Sequence, residues 1–261
     1  MPAVYAHYRM GAALLPTMPA DVRRTIQRFR RLFDVGLHGP DIFFYHNPVM
    51  RTNIGALGSK FHGQTGREFF QRTCRIARLE KSEAAQAYLY GVLCHYVLDS
   101  ACHPFVIEQS SRSAVTHSQI EAEFDRFLLE SDGKIPPESQ DLSTHLQLTY
   151  GECETVAKFY PGITTRNVQD SLRNMIAVLK LFTAPEGARR TVLKKSLTLL
   201  GPQVTGMLMP TSPDPACITL DQPLLALYDK AVADFPVYLN QLQAHLTYNG
   251  LFEEEFTKIF G

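Results

Sequence analysis

The stretch YLYGVLCHYVLDSACHPFV, residues 88–106, places three side chains that can bind metal within one apolar run. His95, Asp99 and His103 are four residues apart, and each step of four along an α-helix turns only about 40° and rises about 6 Å. All three side chains are therefore predicted to lie on one face of a helix. The residues between them are apolar or small, so we expect that face in the protein core, where imidazole and carboxylate groups need partners.

The spacing also predicts more than one ion. His95 and His103 would be about 12 Å apart along the helix axis, too far to share an ion whose bonds to nitrogen are about 2.1 Å. Asp99 lies midway and has two oxygens, so it could bridge an ion at His95 to a neighbouring one. Pro104 disfavours the α conformation at His103, so we expect the helix to bend or stop there. The alternative interpretation is that both histidines are buried in the core and bound by hydrogen bonds, with no metal.

The composition is that of an ordinary globular protein. The chain has 261 residues, of which 45% are hydrophobic, and this is enough for one domain with a large core. Within that domain we expect a metal-site half, about 1–130, and a helical support half, about 131–261. The 26 basic and 26 acidic side chains cancel and neither forms a long run, which argues against a general nucleic-acid binder.

The cysteines and the apolar segments of the sequence indicate the cellular compartment of the protein. The five cysteines include no CxxC pair, and an odd number favours a reduced intracellular chain over a disulfide framework. Cys102, beside His103, is a minor ligand candidate. The first twenty residues lack the pattern of a signal peptide, and no apolar segment reaches 18 residues. We therefore expect a cytoplasmic protein, with a trimmed secreted form as the alternative.

Helical periodicity recurs along the first half of the chain. We expect an opening helix in VYAHYRMGAALL, ending before Pro16, and a second helix over 22–36. The segments 37–48 and 53–66 are rich in glycine or proline and are predicted to be irregular, which places Asp41 in a turn and His62 in a loop. A further helix is expected over about 66–79.

A second metal-binding pattern begins at Thr116. Thr116 and Gln119 match a capping box, and the apolar residues that follow have the period of a helix. His117 and Glu121 are then four residues apart on one helix, so both side chains can reach a single ion. A pair of this kind is more often a surface salt bridge, but its proximity to HxxxDxxxH favours a metal site.

The second half is predicted to be helical and contains no chemical motif. No strand-rich region is visible, so the chain is predicted to be all-α, with helical periodicity in four further segments: 149–160, 166–182, 188–201 and 224–246. The apolar segments 201–210 and 250–260 could contact lipid, but core packing and a docked terminal helix are favoured. His145 and His245 are expected to be ordinary surface or helix histidines.

The order of these motifs resembles a known family. A histidine is followed by PD within GPDIFFY, then by a lone histidine, by HxxxD with another histidine shortly after it, and by HxxxE. This order is similar to that of the bacterial zinc-dependent phospholipase C family and, more distantly, of the single-strand-specific zinc nucleases. The similarity spans about residues 1–127. It implies a single multi-helix domain of the zinc-dependent phospholipase C type.

The resemblance also implies the metal ligands. Two zinc ions are expected, one held by Asp41, His62, His95 and Asp99 and the other by His103, His117 and Glu121. A third ion, whose presence stays open, would be held by His7 with Asp99 as a bridge, which gives eight ligands in all. In the family the third ion also takes an N-terminal tryptophan, and this chain has none. Water, or an N-terminal Pro2 after removal of Met1, would complete that site. The interval from Asp99 to His103 is also two residues shorter than the family pattern.

Such a set of ligands predicts hydrolysis of a phosphodiester. Divalent cations held by carboxylates and neutral imidazoles leave net positive charge and open positions, which attract the substrate and activate a bound water. Asp41 is the candidate to orient or deprotonate that water. We expect a phospholipase C-like enzyme acting on a phospholipid or related phosphodiester, with no stable nucleic-acid partner. A zinc-dependent nuclease and a non-catalytic zinc-stabilised binding protein are the alternatives.

Overall fold

The computed structural model describes residues 4–48, 50 and 52–261. That part of the chain contains no β-strand, only a single antiparallel bridge between Thr65 and Ile259. The predicted all-α fold is therefore confirmed. In chain order the α-helices are α1 (Val4–Leu14), α2 (Ala20–Arg28), α3 (Arg30–Gly36), α4 (Asn53–His62), α5 (Gly66–Leu79), α6 (Glu83–Arg112), α7 (His117–Ser131), α8 (Tyr150–Ala157), α9 (Thr165–Phe182), α10 (Ala188–Thr198), α11 (Pro202–Gly206) and α12 (Asp221–Tyr248).

Helix α6 is the centre of the fold. It has 30 residues, and every side chain of the run 87–100 is buried. A helix that is buried on all sides is stable only when other elements surround it. Among the described residues, the helices that pack against this one are α1, α2, α3, α5, α7, α8 and α12. His95 and Asp99 are therefore held inside the protein by hydrophobic packing around their own helix.

Helices α3 and α6 meet backbone to backbone. A Cβ atom at Gly91 would lie 2.2 Å from the carbonyl oxygen of Phe33, and one at Gly36 would lie 2.5 Å from that of Tyr88. A side chain at either position would push the helices apart. The contact matters for function because the chain leaves α3 directly into the segment that carries Asp41.

Helix α6 continues through Pro104 for eight further residues, so it does not stop at His103. Proline removes one backbone hydrogen bond from a helix. The side chains of Val97 and Val106 on either side are buried, and their packing holds the helix together across the gap. Pro104 itself is exposed, so its ring displaces no core side chain. The three motif residues therefore stay on one helix.

The segment 53–66, predicted to be loop, contains helix α4, with His62 as its last residue. Thr52 caps this helix by accepting a backbone hydrogen bond. Ile54, Leu57 and Phe61 pack against the core at helical spacing. The prediction was wrong because this apolar stripe outweighs the low helix propensity of the glycines in the segment.

Two other segments differ from their predicted form. Asp41 lies in a short 3-10 helix, Gly39–Tyr45, rather than in a turn. The single helix expected over 22–36 is divided into α2 and α3, because the backbone leaves the helical conformation at Phe29 (φ −121°, ψ 42°). This change of direction brings α3 against α6.

The remaining helix predictions are confirmed. Helix α5 covers 66–79, and α7 begins after Thr116, whose hydroxyl accepts a hydrogen bond from the amide of Gln119. The Gln119 side chain does not complete the expected capping box, because it donates to Asp214 instead. Helices α8, α9, α10 and α12 occupy the four segments predicted in the second half.

The C-terminal segment, 249–261, packs against the core, as favoured from the sequence, but in place of a docked terminal α-helix it contains the short 3-10 helix Glu254–Thr257. Phe252, Phe256 and Phe260 are buried. The amide of Phe260 donates a hydrogen bond to the carbonyl oxygen of His62. The second half of the chain therefore reaches the region predicted to bind metal.

All five cysteines are free. Among the residues with described structure, no helix combines the length and the apolar character that crossing a bilayer requires.

Candidate metal centre

Five elements bring the eight predicted ligands together. Six of the eight side chains are buried, and His103 and His117 are partly exposed. The residues come from α1 (His7), the 3-10 helix (Asp41), the end of α4 (His62), α6 (His95, Asp99, His103) and α7 (His117, Glu121).

Four buried side chains form a first group, which we call site A: His7, Asp41, His95 and Asp99. Each offers one possible ligand atom, and these atoms lie within 4.8 Å of one another. Asp99 Oδ1 lies 3.1 Å from His7 Nε2, and Asp99 Oδ2 lies 3.1 Å from His95 Nε2. A tetrahedral zinc ion with bonds of about 2.1 Å would set its ligand atoms about 3.4 Å apart. The two contacts of Asp99, with His7 and His95, are close to this value.

His62 lies outside site A but contacts it through Asp41. His62 Nδ1 donates a hydrogen bond of 2.9 Å to the carbonyl oxygen of Gly58, so Nε2 of the neutral ring has a lone pair. That Nε2 lies 2.6 Å from Asp41 Oδ1. Two lone pairs at this distance repel each other unless a proton or a cation lies between the groups. Anchoring of the far ring nitrogen by a carbonyl is typical of histidines that bind metals.

A second group, site B, consists of His103, His117 and Glu121. Glu121 Oε1 lies 3.0 Å from His117 Nε2 and 3.4 Å from His103 Nε2. His103 Nδ1 lies 3.7 Å from Asp99 Oδ2, so sites A and B are neighbours. Asp99 lies between them, where the sequence analysis placed a bridging carboxylate.

The grouping differs from the ligand sets implied by the resemblance. His7, assigned there to a third ion, lies within site A, while His62, assigned to the first ion, contacts only the edge of the group. Met1 and Pro2, which were considered as partners of a third ion, lie outside the described residues. Cys102 belongs to neither group, and burial raises the pKa of its thiol to about 12.

The opposite charges in the centre shift the protonation of its members. Burial favours the neutral form of Asp99, but the imidazoles of His103, His95 and His7 lower its pKa well below the ordinary value. Burial also favours neutral His103, but the carboxylates of Asp99 and Glu121 raise its pKa to about 9. The carboxylates are therefore ionised, and a metal ion must displace protons from the histidines.

Hydrogen bonds do not account for the arrangement. Both ring nitrogens of His95 are buried without a hydrogen-bond partner among the described residues, and so are Oδ2 of Asp41 and Oδ2 of Asp99. Buried polar atoms without partners are rare and costly. His95 Nε2 and Asp99 Oδ2 are 3.1 Å apart but lack the geometry of a hydrogen bond, as expected for two atoms directed at a common third one. Zinc ligation would satisfy one nitrogen of His95 and the carboxylate oxygens, so the residues present fit this metal.

Gly39 allows Asp41 to approach α6. Its backbone has a φ of 46°, and a Cβ atom there would lie 2.6 Å from the ring of His95. Glycine adopts this left-handed conformation without the strain that other residues incur. The glycine of the GPD sequence is thus a structural requirement of the site that the sequence analysis did not identify.

Asp125 is a second supporting residue that the sequence analysis missed. It accepts hydrogen bonds of 2.8 Å from the amides of Tyr5 and Ala6, in the first turn of α1. These bonds fix the turn that presents His7. Asp125 follows Glu121 by four residues, a spacing that indicates the same face of α7.

His38 was also missed, and it changes the interpretation of His145. His38 is completely buried, and its Nε2 lies 2.7 Å from Nε2 of His145. The ring of His38 lies edge-on to His7, with centroids 6.4 Å apart. His145 is therefore a packed partner of a buried histidine rather than an ordinary surface histidine. No pattern in the sequence connects the two residues.

An open cleft reaches both sites. Its volume is about 650 Å³, and its walls are formed by Asp41, Phe44, Ser59, His62, His103, Ile107, His117 and Gly261. The ring of Phe44 stacks on that of His62 at 5.2 Å, and the Ile107 side chain is 50% exposed. A substrate can therefore reach the ligand groups from solvent.

Comparison with known proteins agrees with this geometry. The chain matches the family described as zinc dependent phospholipase C over residues 6–168, which is more than half of its length and includes all eight predicted ligands. No curated protein and no solved structure was found to match the chain. The resemblance inferred from the sequence motifs is confirmed: the chain belongs to the zinc-dependent phospholipase C family.

Proposed function

We propose that the protein is a zinc-dependent phosphoric diester hydrolase that acts on a phospholipid or a related diester. The proposal depends mainly on one observation, the adjacency of sites A and B about Asp99 at an open cleft. Carboxylate-rich sites that share a ligand are typical of hydrolytic centres, whereas structural zinc sites are closed and rich in thiolates. Family membership supports the same class of reaction.

The eight ligands would hold at least two zinc ions. Zinc bound there would supply Lewis-acid stabilisation of phosphate charge and lower the pKa of a bound water. Asp41, Asp99 and Glu121 together contribute three negative charges, so two divalent cations leave the centre with net positive charge. A phosphodiester anion is therefore attracted into the cleft.

Asp41 is the proposed catalytic residue. It lines the cleft, and a carboxylate that binds a cation through one oxygen can accept a hydrogen bond from water through the other. Burial favours the protonated acid, but the imidazoles of His62 and His95 more than offset this effect and lower the pKa of Asp41. Asp41 is therefore ionised, as a group that orients or deprotonates water must be.

The cleft suits a lipid diester better than a nucleic acid. Sites for single-stranded nucleic acid combine basic side chains with several stacking aromatics. The residues that line this cleft include neither lysine nor arginine. Apart from histidines, Phe44 is the one aromatic side chain among them. The exposed side chain of Ile107 adds apolar surface instead.

The proposal is tested with zinc-loaded protein and three substrates. We expect hydrolysis of p-nitrophenylphosphorylcholine and short-chain phosphatidylcholine, no cleavage of a single-stranded oligonucleotide, and bound zinc by metal analysis. Asp41→Asn should lose turnover, while Asp229→Asn, the same change at an exposed position of α12, should keep it. Cleavage of the oligonucleotide alone would make the protein a nuclease. Inertness towards all three substrates with zinc bound would contradict a hydrolase of this class.

A further inference from the structure

We propose that helix α10 and the residues around it dock the protein on an anionic lipid surface. The segment concerned, 187–213, lies outside residues 6–168 matched by the family. It has no aspartate or glutamate and four basic residues: Arg189, Arg190, Lys194 and Lys195. This proposal rests on the proposed function only for the choice of a lipid as substrate, because docking itself requires no catalysis.

Helix α10 is poorly covered by the rest of the protein. Of its 11 residues only Leu197 is buried. Val192 is 64% exposed, and Leu199 and Leu200, directly after the helix, are 88% and 49% exposed. A helix this short is marginal in water without packing, and a group of large exposed apolar side chains marks an interaction surface.

The four cations have two different roles. The Arg189 guanidinium donates to backbone carbonyls at the end of α9, and that of Arg190 donates to the carbonyls of Ala184 and Met209. These arginines tie α10 to the body of the protein. Lys194 and Lys195 are exposed and form neither an ion pair nor a hydrogen bond with any other side chain in the described ranges. Their ammonium groups are free to bind an anion.

The combination of side chains favours lipid over other anionic partners. Exposed aliphatic residues enter the boundary between head groups and acyl chains, while neighbouring lysines attract anionic lipids. A surface for single-stranded nucleic acid would present aromatic rings for stacking. The segment 187–213 contains no phenylalanine, tyrosine or tryptophan.

The segment lies beside site B. Helix α11 packs on the first turn of α7, where a Cβ atom at Gly206 would lie 2.6 Å from the Thr116 hydroxyl. The Ser118 hydroxyl donates to the Gln203 side chain across the same contact. His117 lies between these two contact residues, so a surface bound at α10 would be close to the turn that presents a proposed metal ligand.

A groove on this face offers space for a lipid head group. Its volume is about 690 Å³, and Arg190, Lys194 and Gln119 are among the residues that line it. The carboxylate of Asp214 is also part of the wall, but it accepts a hydrogen bond from Gln119. The wall therefore carries two positive charges, on Arg190 and Lys194, against one negative charge on Asp214.

The first experiment measures cosedimentation of the full-length, zinc-loaded protein with vesicles. We expect binding to phosphatidylcholine vesicles that contain phosphatidylserine, much weaker binding to phosphatidylcholine alone, and loss of binding as salt increases. The double variant Lys194→Gln, Lys195→Gln should lower the partition coefficient about thirtyfold, at about fivefold for each cation. The control Arg24→Gln, Arg75→Gln removes two exposed cations on α2 and α5 and should have no such effect.

A second pair of variants tests the apolar contribution. Leu199→Ser should weaken binding more than tenfold, because the side chain no longer enters the lipid boundary. Leu79→Ser, at a position that is 75% exposed on α5, should leave binding unchanged. Equal losses in the control variants, no binding of the unaltered protein to anionic vesicles, or binding to an oligonucleotide in place of vesicles would each overturn the proposal.

Catalysis and docking are separated by using a soluble substrate. The lysine variant should hydrolyse p-nitrophenylphosphorylcholine at the unaltered rate and lose activity on anionic vesicles. Vesicle binding by a protein that hydrolyses none of the diesters would support the docking surface and contradict the proposed reaction. Equal loss on soluble and vesicle substrates would contradict a docking role for the lysines.

Discussion

Asp99 is the residue through which the two halves of the metal centre meet. One carboxylate oxygen faces His7, and the other faces both His95 and His103. The period of the helix puts Asp99 between the two histidines of its own helix, and burial strengthens the interaction of its charge with all three imidazoles.

Asp99→Asn should lower both zinc content and turnover, the latter by more than about 100-fold. The amide keeps the size of the side chain but lacks the charge that holds cations together. Metal analysis and initial rates on a soluble phosphodiester measure the two effects. Asp229→Asn is the matched control at an exposed site. Unchanged zinc stoichiometry in Asp99→Asn would count against a bridging role.

Asp221, in the first turn of α12, is a buried carboxyl group outside the metal centre. Burial and the neighbouring carboxylate of Glu123 raise its pKa to about 7, with Arg126 acting in the opposite direction. In the unfolded chain an aspartate loses its proton near pH 4. The folded state is therefore penalised progressively as the pH rises from about 4 to about 7, and the penalty is constant above that range.

Asp221→Asn should raise the free energy of unfolding by about 1–2 kcal/mol at pH 8 and leave it unchanged at pH 4. The gain is smaller than the full linkage energy because hydration and the N-terminal end of the helix dipole both favour the ionised form. Urea unfolding at several pH values measures it. Asp229→Asn, on the exposed face of the same helix, is the control. A gain that is equal at both pH values would show that charge is not its cause.

Among the secondary-structure elements, α6 packs directly against α3 because each helix has a glycine at the contact. Gly91 of α6 and Gly36 of α3 let the two backbones touch, and no other residue type has room there. The position of α3 then determines where the 3-10 helix that carries Asp41 begins. Removal of this close contact should therefore affect both stability and the metal centre.

Gly91→Ala should destabilise the protein by about 2–3 kcal/mol, because the added methyl group would meet the backbone of Phe33 and Gly36. Gly151→Ala is the matched control, since a Cβ atom at that exposed position of α8 meets nothing within 4 Å. Alanine there should be neutral or stabilise by up to about 1 kcal/mol. Chemical denaturation of both variants gives the comparison, and equal stabilities would disprove the close packing of α3 on α6.

In the whole molecule, the second half of the chain completes the walls around the ligands. Helix α12 packs along α6, and the C-terminal segment contacts His62 and His103. We propose on this basis that residues 1–261 form a single domain in which the helical support half and the metal-site half share one core. The unfolding of the protein should then respond as a unit to the metal.

Removal of zinc by a chelator should lower the thermal midpoint by roughly 10 °C. Metal bound only by the folded state at about 1,000 times its dissociation constant adds about 4 kcal/mol, and each 1 kcal/mol shifts the midpoint of a domain this large by about 2–4 °C. Calorimetry before and after dialysis measures the change. Zinc should restore the midpoint, and magnesium should not, because imidazole ligands favour zinc. An unchanged midpoint after complete zinc removal would contradict a centre built into the core.

The sequence by itself determined the long periodic helices and the two ligand motifs. His95, Asp99 and His103 share a helix face by their spacing alone, as do His117 and Glu121, because the period of an α-helix is a local property. The order of the motifs also indicated the family. These inferences required no knowledge of how the helices pack.

Only the tertiary structure decided which separate elements meet around α6. Packing energy on both sides keeps α6 continuous through Pro104, and an apolar stripe makes α4 helical in spite of its glycines. His7 enters site A because Asp125 holds the start of α1, and Asp41 enters because Gly39 permits close approach. Such contacts join residues far apart in the chain, so their energies cannot be inferred from local patterns.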